Sequence, residues 1–69
     1  MTKENIESAI ESGQPFSIAM ADGKEYLVPH RDFIAFNPKR TACIVFTEDD
    51  HFHILPFITM TGIKQKIVS

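Results

Sequence analysis

Sixty-nine residues, a formal net charge of −2 and 43% hydrophobic content describe one small foldable domain, too short for a large core and too apolar for intrinsic disorder. The acidic balance gives no support to a general phosphate-binding surface, a single cysteine, Cys43, excludes an intramolecular disulfide, and no apolar run approaches the ~18 residues of a membrane-spanning helix. The polar, acidic start MTKENIESAIESG lacks the positive-then-apolar order of a secretory signal, so the expected compartment is the reducing cytoplasm.

Thr2 can cap a helix, and Glu4 suits its first turn. Ile6, Ala9 and Ile10 fall at i, i+3 and i+4 and form one apolar stripe. Gly13 is a natural stop and Pro15 prevents continuation, so a helix is predicted over residues 3–12. Next, Phe16, Ile18 and Met20 alternate with Ser17 and Ala19, and Asp22-Gly23 marks a hairpin. A three-residue loop, Ala21-Asp22-Gly23 with Gly23 left-handed, pairs Ile18 with Tyr26 and Phe16 with Val28. That register gathers all four on one face, and a one-residue slip would scatter them.

Pro29 ends the extended run. Residues 30–37, HRDFIAFN, fit H-R-D-x-x-x-x-N, the catalytic loop of protein kinases. That loop works only beside a glycine-rich nucleotide loop, a strand lysine and a metal-binding D-F-G segment. The chain has no G-x-G-x-x-G, and its Ala21-Asp22-Gly23 precedes the motif and lacks the phenylalanine. The match is read as fortuitous and the protein as no enzyme: a loop carrying His30, Arg31 and Asp32, then a short buried strand at 33–36, closed by the Asn37-Pro38 turn.

A second hairpin follows, TACIVFT and HFHIL around the loop Glu48-Asp49-Asp50. In this register Phe46 opposes Phe52 and Ile44 opposes Ile54, a coherent apolar ladder shared with Ala42. Cys43, Val45, His51, His53 and Leu55 point the other way. Pro56 breaks the ladder, 57–60 reads as a tight or 3₁₀ turn, and a last strand carries Ile63 and Ile67 on one face and Lys64 and Lys66 on the other. The strand segments are 15–20, 24–29, 33–36, 41–47, 51–55 and 62–68. The fold class is α+β: a short N-terminal helix followed by a five-stranded antiparallel sheet. Two arrangements stay open, a curl into an SH3-like or Sm-like small barrel and an open sheet with the helix on one face.

The stretch from Pro15 to Ile54 is similar to a set of short, uncharacterised bacterial proteins. The shared pattern runs through Pro15, Phe16 and Ile18, the Ala21–Gly23 turn, Val28–His30, Asp32–Ile34, Pro38, Ile44–Phe46, Asp49 and Phe52–Ile54. The resemblance implies a stand-alone bacterial protein and carries no activity, catalytic residue or cofactor.

Three constellations could carry function. Leu27, Cys43, Val45 and Leu55 are apolar on the face opposite the main ladder, and one short helix cannot cover both faces of a sheet. An interaction or regulatory module therefore follows, self-associating as a homodimer or binding a protein partner through Leu27, Val45, Leu55 and Phe57. His51 and His53 stand at i and i+2 and, with His30 and a nearby aspartate, could make a metal-binding or small hydrolytic site. Neither C-x-x-C nor H-E-x-x-H accompanies them, so no cofactor is expected. Lys39, Arg40, Lys64 and Lys66 are the basic clusters and would serve an Sm-like nucleic-acid binder, although such lysines more often protect strand edges. Cys43, flanked by Ala42 and Ile44, reads as a small buried hydrophobe, and a Cys43–His53 nucleophile pair lacks any orienting group.

Overall fold

The helix forms where the apolar spacing predicts it. In a computed structural model describing residues 3–65, α1 spans Lys3–Glu11 and buries Ile6 and Ala9. Its end is closed by the Ser12 hydroxyl, which donates to the Ala9 carbonyl at 2.6 Å, and by Gly13 at φ +73°. Residues 1–2 and 66–69 lie outside the described part, and with them the Thr2 cap, Lys66, Ile67 and the predicted strand beyond Gln65.

Six strands follow: β1 (Phe16–Met20), β2 (Glu25–Val28), β3 (Ile34–Phe36), β4 (Ala42–Phe46), β5 (Phe52–Pro56) and β6 (Met60–Gln65). They make two three-stranded antiparallel sheets, ordered β2-β1-β6 and β3-β4-β5. They do not form the expected single five-stranded sheet. Pro29 and a 3₁₀ turn at Arg31–Phe33 interrupt the extended chain, so β2 and β3 belong to different sheets. Neither sheet closes on itself, and no helix among the described residues is long and apolar enough to cross a membrane.

Both hairpin registers are those that the alternation predicts. Phe16 pairs with Val28 and Ile18 with Tyr26, across a loop closed by Met20 N–H to Lys24 O at 2.9 Å with Gly23 at φ +89°. That conformation favours glycine, because a Cβ there crowds the backbone. Phe46 pairs with Phe52 and Ile44 with Ile54. In this second loop Asp50 takes the left-handed position at φ +66°, which a short polar side chain tolerates. The third turn is held by Asn37, whose Oδ1 accepts from the Thr41 and Ala42 backbone N–H groups at 2.9 and 3.0 Å. A 3₁₀ turn over Phe57–Thr59, as predicted, then turns the chain into β6, which returns to pair with β1.

The core lies between the two sheets, with α1 against it. Phe16, Ile18, Met20, Val28 and Met60 enter from one sheet, and Ile34, Cys43, Val45 and Leu55 from the other, with Phe57 beneath the turn. The expected facing of the second hairpin is therefore reversed. Val45 and Leu55 are 1% and 3% exposed, whereas Phe52 and Ile54 are 59% and 62% exposed. Apolar residues on both sides make the alternation ambiguous about direction, and packing against the other sheet decides it.

Candidate functional site

The reversal relocates the apolar surface. Val45, Leu55 and Phe57, expected at an interface, are core residues of this chain, and of that set Leu27 alone is exposed. What faces outward instead is the ladder of β4 and β5: Phe46 and Phe52 as one cross-strand pair, Ile44 and Ile54 as the next. Ala35 lies beside Ile44 on β3, so the outer face of this sheet carries an apolar strip. One clue to this facing is present in the sequence. Cysteine is among the most buried residue types, and Cys43 shares its face with Val45 and Leu55.

Among the described residues β5 is also an edge strand, paired only with β4. The hydrogen bonds Thr47 N–H to His51 O at 2.8 Å and Phe57 N–H to Thr41 O at 2.9 Å bracket the ladder. By antiparallel alternation, Val45/His53 and Cys43/Leu55 are the hydrogen-bonded pairs between them. The backbone groups of Phe52 and Ile54 therefore point away from β4, toward the open edge. Of the edge strands, β2 and β6 carry charges, Glu25 and Lys64, whereas β5 and the three-residue β3 carry none. An uncharged edge beside exposed apolar side chains is a template for pairing with another chain.

The strip continues around the bend between the sheets. Leu27, Pro29, Tyr26, Phe33 and Phe46 line an open groove of about 390 Å³, with Glu25, Thr47 and Glu48 around them. The HRD segment shapes this bend. His30 caps the 3₁₀ turn by accepting the Asp32 backbone N–H on Nδ1 at 3.3 Å, and its ring meets Phe33 edge-on at 4.6 Å. Arg31 and Asp32 are exposed.

The histidines are dispersed among separate structural tasks. His30 caps, His51 pairs its Nδ1 with Asp49 at 2.9 Å, and the His53 ring packs on Tyr26 at 4.8 Å across the seam between the sheets. His51 and His53, at i and i+2, are thus engaged by different partners, Asp49 in the loop and Tyr26 at the seam. Among the described residues no three His, Cys, Asp or Glu side chains are grouped to hold a metal ion. The Thr47 hydroxyl and then His51 hydrogen-bond the Asp49 carboxylate and pull its pKa down to about 2. Burial pushes the Cys43 thiol up to about 11, opposite to what a nucleophile needs.

The basic residues are likewise separated. Arg40, at φ +55° in the third turn, reaches Glu7 of α1 at 3.4 Å and stacks over Phe36 at 5.7 Å. Lys64 pairs with Glu25 at 3.1 Å on the other sheet, and Lys39 is exposed. Carboxylates thus partner two of the three described members of the expected basic patch. Compared with protein-family models, curated proteins and solved structures, the chain matches none.

Proposed function

We propose that this chain is a small, non-enzymatic interaction module that holds a protein, a second copy of itself or another chain, against the outer face of β3-β4-β5 and the free edge of β5. The observation that carries the reading is the paired exposure of Phe52 and Ile54 on an uncharged edge strand. Small domains without disulfides or metals gain stability by association, and contiguous exposed apolar strips mark contact surfaces. We further read the architecture as SH3-like or Sm-like. In support, a 3₁₀ turn precedes the last strand, and that strand returns to β1.

Sedimentation velocity over a wide concentration series tests the proposal, with Ile54→Asp as the variant. Self-association predicts a wild type whose mass rises with concentration and a folded Ile54→Asp that stays monomeric. If the variant associates as the wild type does, this face is the wrong one. If the wild type is monomeric throughout and no peptide probe perturbs the outer face in an NMR titration, the interaction reading fails.

A further inference from the structure

Resting on that reading, we infer that the groove between β2 and the β4–β5 hairpin selects the partner, and that its occupant is a basic peptide segment carrying an apolar side chain. The floor supplies the apolar part. Leu27, Pro29, Phe33 and Phe46 present carbon surface, and the groove is lined by no lysine or arginine. A side chain of leucine or aromatic size displaces water from such a surface favourably.

The rim supplies the charge selection. Glu25 and Glu48 both line the groove. Lys64 engages Glu25, whereas Glu48 makes no ion pair or hydrogen bond with the described residues. Asp49 and Asp50 follow it in the same exposed loop. A lysine or arginine next to the buried hydrophobe would meet the Glu48 carboxylate and lie against the faces of Tyr26 or Phe46, where cations are attracted by the ring quadrupole. An acidic segment would meet the Glu48 carboxylate and its loop neighbours as like charge. A second copy of this chain, itself at −2, would place the same loop carboxylates near each other if it docked here. The groove therefore favours a basic partner over a copy.

The test is a chemical-shift titration of the labelled protein with three synthetic peptides of equal length. These alternate leucine with lysine, with glutamate or with serine. The lysine peptide is expected to move the amides of Leu27, Phe33 and Phe46, and to bind at least about tenfold more tightly than the other two. Glu48→Lys should remove most of that preference, whereas Glu4→Lys on the exposed face of α1, with the same change in net charge, should leave it intact. Three results would overturn the inference: equal binding of the serine peptide, equal effects of Glu48→Lys and Glu4→Lys, or lysine-peptide shifts confined to residues 48–51. If the serine peptide binds equally well and Phe52 and Ile54 respond, the interaction reading survives and charge selection does not. If no peptide perturbs any residue and the wild type is monomeric, both fall.

Discussion

Truncating Leu55 and Ile54, neighbours on one strand, tests which side of the β4–β5 hairpin is the core. Leu55 is 3% exposed and packs in the core cluster with Cys43, Val45 and Phe57. Leu55→Ala removes buried carbon and leaves a cavity, which costs about 2–5 kcal/mol. Ile54 is 62% exposed, so Ile54→Ala forfeits only the hidden third of a burial worth about 1.5–3 kcal/mol, plus some β-propensity, about 1 kcal/mol in all. A domain of this length has a total stability of about 3–10 kcal/mol, at ~0.05–0.15 kcal/mol per residue. Leu55→Ala therefore removes a large fraction of it and lowers the melting temperature by about 4–8 °C per kcal/mol. The assay is urea unfolding followed by far-ultraviolet circular dichroism, with unchanged slope as the sign that the same two states are compared. It is run at the lowest usable protein concentration, so that association adds nothing to the apparent stability. If Ile54→Ala costs as much as Leu55→Ala or more, Leu55 does not face the core and the reasoning fails.

Asn37→Ala removes the acceptor for the Thr41 and Ala42 N–H groups and should cost about 1–2 kcal/mol, measured in the same unfolding assay. The Cys43 thiol should resist iodoacetamide at neutral pH in the folded protein and react once urea exposes it, because burial holds its pKa at about 11; rapid native labelling would contradict its placement. Asp49 carries a pKa of about 2, lowered from 3.8. Its contribution to stability is therefore present above the ordinary carboxylate range and is lost as pH falls from about 4 toward 2. Asp49→Asn should flatten that part of the acid-unfolding curve.

Local chemistry was legible in the sequence wherever one short stretch contained the whole argument. The helix over Lys3–Glu11 follows from the spacing of Ile6, Ala9 and Ile10 and from the stop at Gly13. The left-handed Gly23 and the Phe16–Val28 register follow from a loop that must place four apolar side chains on one face. The tight or 3₁₀ turn at Phe57–Thr59 was legible in the short apolar run after Pro56, but Pro56 itself does not break the ladder: it stays in β5 opposite Ala42. The break between β2 and β3 was half legible. Pro29 announced the end of a strand, but nothing local says that the strand beyond it joins a second sheet.

The inward face of the second hairpin was decided by the tertiary structure, with the burial preference of Cys43 as the one local hint. Its two sides, Ile44-Phe46-Phe52-Ile54 and Cys43-Val45-His53-Leu55, are both apolar enough to be core, and a period of two carries no sign of which is which. The two histidines made the second side look like the wet one. His53 instead sits at the seam against Tyr26, where an edge strand lets a ring stay exposed while its neighbours Val45 and Leu55 are buried. The candidate surface inherits that dependence. Whether Phe46, Phe52 and Ile54 form a core or an outer strip depends on where the other sheet lies, and that is a property of long-range packing that no spacing within the hairpin encodes.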